Sequence, residues 1–196
     1  MNFLSFFGFS VSATFTPGPN NIMSMTTAGK FGFKRALRYC IGVMLGFFVL
    51  LMLGAIFSSV LGRYIENISF IMKIIGALYM LYLAFIIVRD KPHEKKDTGR
   101  KELRPDSILT GFILQFINPK GIMFSITIMS AYVLPYYTDW PTVALFAGIL
   151  ALMALASTSL WGLGGAVFER VFREHKKVFN AILGLLLVYC AVSLFL

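Results

Sequence analysis

The chain has 196 residues, of which 58% are hydrophobic and only 14% charged, with a formal net charge of +9. A soluble domain carries roughly 25% charged residues, and so few charges cannot cover the surface of a protein this size in water. An ordinary soluble globule is therefore excluded, and lipid must be the solvent for most of the chain.

Long stretches carry no charge at all, and a helix needs about 20 apolar residues to cross a bilayer. The runs are continuously apolar and lack the alternation of barrel strands, so they are read as helices. Six transmembrane helices are predicted, near Phe3–Thr27, Tyr39–Leu61, Ile68–Val88, Ser107–Val133, Pro141–Gly165 and Val178–Leu196. They form one all-α integral membrane domain. Its first half is 1–88, a cytoplasmic linker of mixed charge follows at 89–106, and the second half is 107–196.

The first span has no basic residues before it and is too long for a signal peptide. It contains Thr16-Pro17-Gly18-Pro19-Asn20-Asn21. A proline inside a helix removes a backbone donor and clashes with the preceding turn, at about 3 kcal/mol or more. Two prolines around a glycine predict a break; a simple kink is the bland alternative. Pro19 falls about 24 Å along its span at 1.5 Å per residue, near or slightly to the cytoplasmic side of the midplane.

The second span carries Gly42-Val43-Met44-Leu45-Gly46, a spacing that permits close helix approach. It serves packing within the chain or a homodimer contact. In the third span Lys73 lies near the outer end and can snorkel to the surface. The fourth span carries Asn118-Pro119-Lys120, which reads as an N-cap residue and a proline at the first position of a new half-helix. Pro119 is about 18 Å into its span, so this break is also near mid-membrane. A lysine at that depth costs about 3 kcal/mol on insertion scales and marks a substrate or ion path unless it snorkels. Tyr79, Tyr82, Gln115, Ser157 and Thr158 can line a cavity, and each serves equally as an interhelical hydrogen-bonding residue. Cys40 and Cys190 fall near opposite faces and are read as small buried hydrophobes.

The loops fix the orientation. Fifteen of the 18 basic residues flank the 1–2, 3–4 and 5–6 connections, among them Lys30, Lys34, Arg35, Arg38, Arg89, Lys95, Arg104, Arg170 and Lys177. The positive-inside rule places that side in the cytoplasm and both termini outside. The basic excess is thus topological and does not imply nucleic acid. Three crossings per half make the halves antiparallel, the pattern of two inverted three-helix repeats. Pro19-Asn20-Asn21-Ile22-Met23 is echoed by Pro119-Lys120-Gly121-Ile122-Met123.

After each break a new half-helix would begin, presenting backbone N–H groups and a partial positive charge. With Lys120 beside them, such ends suit a carboxylate. The candidate substrate-binding residues are Pro17, Gly18, Pro19, Asn20, Asn21, Asn118, Pro119 and Lys120. The asparagines either contact substrate or cap backbone. All nine acids fall in or beside loops, which argues against a strongly cationic substrate.

These motifs, with Gly32-Phe33, Gly42, Gly46 and the stretch from Gly76 to Ala84, resemble the LysE/RhtB superfamily of amino-acid exporters. Phe112-Ile113-Leu114-Gln115-Phe116, Val133-Leu134-Pro135 and the tail from Leu185 to Val192 are similar to its cysteine/O-acetylserine branch. The resemblance covers nearly the whole chain. It implies export of a small neutral amino acid or derivative, of the cysteine/O-acetylserine or the homoserine/threonine type, across the cytoplasmic (inner) membrane, driven by the proton gradient. Lys120 is then one place for the coupling proton. A membrane thiol-transfer protein of related three-helix halves is the rival, but neither motif contains the cysteine such chemistry needs. His93 and His175 fall in loops with no metal-ligand or nucleophile–base pattern, so neither a cofactor, a metal nor enzymatic activity is expected.

Overall fold

The computed structural model describes residues 1–61, 106–167 and 176–193, with single positions between 74 and 89. Among the described residues the secondary structure is helical, without strands. The elements are α1 (Phe3–Phe15), α2 (Pro19–Phe31), α3 (Phe33–Leu61), α4 (Ile108–Gln115), α5 (Pro119–Ile128), which runs on into a π-helical turn at Met129–Val133, α6 (Trp140–Val167) and α7 (Lys176–Ser193). Most of the third predicted span lies outside the described residues, as do Lys73, Tyr79, His93, His175 and most of the 89–106 linker. So does the side chain of Cys190.

Caps define the helix starts. Asn2 Oδ1 accepts from Ser5 N at 3.1 Å, Ser107 Oγ from Thr110 N at 3.0 Å, and Asp139 Oδ1 from Thr142 N at 3.0 Å, each satisfying an orphan first-turn donor. The Thr142 side chain and backbone together hold the exposed Asp139 carboxyl below its ordinary range.

The first predicted loop collapses to a single residue. Gly32 takes φ 82 and ψ 156, an extended positive-φ conformation that glycine adopts without penalty, and α3 starts at the next position. Lys30 therefore sits in the last turn of α2, and Lys34, Arg35 and Arg38 on the first turns of α3. Lys30 there complements the helix dipole.

By length and composition, Phe33–Ser59 and Trp140–Val167 can each cross a membrane. The pair Ile108–Gln115 and Pro119–Val133, bent by 62°, makes a third if taken as one span. α3 is central and packs against α2, α4, α5 and α6. The main core joins Phe6 of α1, Phe47, Leu50 and Leu51 of α3, Phe124 and Ile128 of α5, and Leu150 of α6. The Phe9 ring stacks on both Phe124, 5.6 Å between centroids, and Tyr132, 5.7 Å. A second cluster brings Ile22 of α2 and Ala84 against Leu183 and Leu187 of α7.

Glycines set the tightest approaches. A Cβ on Gly42 would collide with the Ile108 carbonyl, one on Gly46 with the Phe112 carbonyl (2.6 Å), and one on Gly111 with the Tyr39 carbonyl. The Gly42-x-x-x-Gly46 face is thus spent on α4 within the chain. Gly162 and Gly165 play the same part between α6 and α2, meeting Ser24 Oγ and the Met25 carbonyl. Gly111→Ala should therefore destabilise by about 1–3 kcal/mol through overpacking. Gly148→Ala, where a Cβ meets nothing within 4 Å, should not. Thermal unfolding in detergent checks this; equal melting temperatures for the two variants would contradict the close α3–α4 approach.

Candidate functional site

Both proline motifs interrupt helices. α1 ends at Phe15 with Thr16 as its C-cap, and α2 restarts at Pro19 with Gly18 as N-cap. α4 ends at Gln115, and α5 restarts at Pro119 with Asn118 as N-cap. The two breaks satisfy their backbone differently, and the proline count is the reason.

The second break is repaired locally. Phe116 N, Ile117 N and Asn118 N donate to the carbonyls of Ile113, Leu114 and Gln115 at 3.1–3.3 Å, tightening the last turn of α4 to 3₁₀ geometry. Asn118 Oδ1 then accepts from Lys120 N at 3.2 Å to open α5.

The first break cannot repair itself this way. Pro17 and Pro19 lack the N–H groups that would close such turns. Its carbonyls take side chains from elsewhere in the fold. Asn21 Nδ2 donates to Thr14 O at 3.1 Å and Thr16 O at 3.0 Å. From α6, Ser157 Oγ donates to Thr14 O at 2.9 Å, and Trp161 Nε1 to Phe15 O at 3.2 Å. From α5, Lys120 Nζ donates to Thr16 O and Thr16 Oγ1, both at 2.9 Å, and to Pro17 O at 3.3 Å. A cation at a helix C-terminus also opposes the negative end of the dipole.

The contacts between the breaks are reciprocal. Lys120, second residue of α5, reaches the end of α1; Asn20, second residue of α2, reaches the end of α4, where its Nδ2 donates to Gln115 Oε1 at 3.0 Å. Gln115 is 1% exposed, and its Nε2 donates to Val43 O at 3.2 Å. The buried Tyr39 hydroxyl donates to Asn20 Oδ1 at 3.3 Å. Asn20 is thereby fixed from both sides.

Gly18 has φ −167, extended backbone open to any residue, so glycine is not there for its conformational freedom. A Cβ there would meet Lys120 Cδ at 3.0 Å and Nζ at 3.2 Å. Glycine leaves room for the lysine stem to cross the break.

Between the breaks lies a cavity of about 60 Å³, bordered by Thr14, Gly18, Asn20, Asn21, Gln115, Asn118 and Lys120 on its polar side and by Val43, Phe47 and Phe124 on its apolar side. That is several times the ~10–15 Å³ needed by one water. Seven of the eight residues singled out in the sequence border this cavity or lie on Lys120: Pro19, Gly18, Asn20, Asn21, Asn118 and Lys120 line it, and Pro17 binds Lys120 through its carbonyl. Pro119 is buried at the start of α5 without lining the cavity. Tyr39, Gln115, Ser157, Thr158 and Trp161 also build the site. Gln115, Ser157 and Thr158 were visible as polar residues inside charge-free spans, but nothing in their spacing said which of them turn inward. Tyr82 is 60% exposed. The described acids are Asp106 and Asp139, both just outside the helices, and the described residues hold no cluster of three metal-ligating side chains.

The sequence pattern of the LysE type translocators matches residues 11–196. The chain is 35% identical over 191 residues to the cysteine/O-acetylserine efflux protein of Salmonella paratyphi A, covering 97% of this chain and 96% of that one. It is 33% identical over the same length to the protein of that name from Escherichia coli, with the same coverage. No solved structure matches.

Asn21→Ala should remove one donor from each of two carbonyls at the first break and cost about 1–3 kcal/mol. Trp161→Phe keeps an aromatic ring but removes the indole donor to Phe15 O together with some packing, with a loss at least in the same range. Both appear as lowered Tm in detergent, and an unchanged Tm in both would show that these carbonyls find other partners.

Proposed function

The chain belongs to the LysE type translocator family, and from that premise we propose that it exports small neutral amino acids or their derivatives, of the cysteine/O-acetylserine kind, across the cytoplasmic membrane. One observation carries the reading: two interrupted helices bring a lysine, an uncapped helix start and four amide side chains to one small cavity.

The substrate's carboxylate goes to the α2 side of that cavity. Gly18 supplies no side-chain cap to α2, so its first-turn N–H groups and partial positive charge are available to an anion. The Lys120 ammonium stands across the Gly18 backbone and adds a full charge. Asn20, Asn21 and Asn118 orient the ligand, while Pro17, Pro19 and Pro119 hold the backbone open. Phe47 and Phe124 border the space for a short side chain, and the lack of an acid at the cavity among the described residues suits a neutral side chain over a cationic one.

The same reading places the breaks near mid-membrane in a bundle of six spans, built as two inverted three-helix halves with both termini outside. The reciprocal pairing of Asn20 with Gln115 and of Lys120 with Thr16 supports that symmetry, since an inverted repeat makes each broken helix meet the other in the same way. The proton gradient drives export, and Lys120 is the ionisable group at the cavity on which a proton can act.

Purified protein in vesicles loaded with L-cysteine, O-acetylserine, threonine or lysine tests this. Release should be fastest for the first two, slowest for lysine, and accelerated when the vesicle exterior is made acidic. In a Lys120→Gln variant release should fall at least about tenfold, the loss of a charge-assisted contact. Lysine release matching that of cysteine would overturn the substrate assignment, and fully gradient-driven release by Lys120→Gln would overturn the role of Lys120 in coupling.

A further inference from the structure

An amino acid is a zwitterion, and the α2 side of the cavity takes only its carboxylate. Its ammonium group has three donors and needs three acceptors. The described residues offer no carboxylate at the cavity. They do offer one group of oxygens already arranged around an ammonium: Thr16 O and Thr16 Oγ1 at 2.9 Å and Pro17 O at 3.3 Å, with Lys120 Nζ between them.

We propose that these three oxygens are the substrate's ammonium subsite, and that Lys120 occupies it as an internal surrogate until substrate arrives. This rests on the reading of the cavity as an amino-acid site. The substrate's ammonium takes the place of Lys120 Nζ on Thr16 and Pro17, and its carboxylate receives the displaced lysine. Every charge keeps a partner throughout, which matters where an unpaired one is costly. The lysine has only to withdraw far enough to admit a carboxylate oxygen between the two nitrogens. Its stem lies against Gly18, where no side chain obstructs it.

Three consequences follow from the chemistry. A compound without an ammonium cannot displace Lys120. An amine without a carboxylate can do so only by taking the three oxygens from Lys120 and offering it no anion in exchange. An α-amino acid satisfies both conditions, so self-occupation makes the site selective for zwitterions without any acidic residue. The contact exchanged is also one that ties the start of α5 to the end of α1, so ligand entry loosens the link between the two broken helices.

Binding of L-cysteine, N-acetylcysteine and cysteamine, measured under reducing conditions on the full chain in lipid nanodiscs, separates these cases. The native protein should bind L-cysteine and bind the other two at least about tenfold more weakly, each lacking a charge-assisted contact. In Lys120→Met, L-cysteine should weaken by a similar factor while cysteamine binds more tightly than to the native protein, because its competitor for Thr16 and Pro17 is gone. A purely structural lysine would weaken both. Cysteamine binding that falls together with that of L-cysteine in Lys120→Met overturns the subsite. So does N-acetylcysteine binding to the native protein as tightly as L-cysteine, a result that needs no variant. If the native protein in vesicles exports neither L-cysteine nor O-acetylserine, the functional reading itself fails, and that outcome is distinct from both.

Discussion

A backbone carbonyl without a donor is tolerable in water and expensive in lipid. The run from Thr14 to Pro17 holds four of them at the end of a helix whose continuation is blocked by two prolines. Side chains from α2, α5 and α6 converge on this short stretch because its prolines remove the backbone donors that would otherwise serve it. The requirement fixes where α6 lies, since Ser157 and Trp161 must reach α1. It also fixes where α5 begins, since Lys120 must span from the second break to the first. One constraint on hydrogen bonding thus organises three helices.

The groups that meet this requirement also make the cavity chemically useful. The unwound segment offers carbonyls at its α1 end and an uncapped helix start at its α2 end, only a few residues apart. Such a segment is dipolar, and an amino acid is dipolar in a matching sense. In the proposed cycle stability and transport draw on the same oxygens, so the resting contacts of Lys120 are those a ligand must replace. The neighbouring Tyr39–Asn20–Gln115 chain is held from α3 as well as α4. It ties one wall of the cavity to two further helices.

Close helix packing supports this wall. The carbonyls of Tyr39, Ile108 and Phe112 lie so near the facing helix that only glycine fits at positions 42, 46 and 111. Small residues let backbones approach and gain dispersion contacts where lipid offers no hydrophobic drive for helices to associate. That approach brings Gln115 of α4 within reach of Val43 O on α3, and so sets the position from which it meets Asn20.

The sequence by itself determined the solvent of the chain, the helical class and the two sites of interruption. Charge-free length, the positions of Pro17, Pro19 and Pro119, and the Asn118 cap are properties of single segments and need no neighbour to be read. The close packing of Gly42 and Gly46 was likewise legible, but their partner was not. Only the tertiary structure decided that partner, the reduction of the first loop to Gly32, and the crossing of Lys120 and Asn20 between breaks. It also decided which polar residues of α3, α4 and α6 turn inward: Tyr39, Gln115, Ser157 and Trp161 are ordinary in sequence and become site residues only when an orphaned carbonyl or amide from another helix faces them. The physical reason is that proline deletes donors locally, whereas the replacement donors come from wherever the fold brings them.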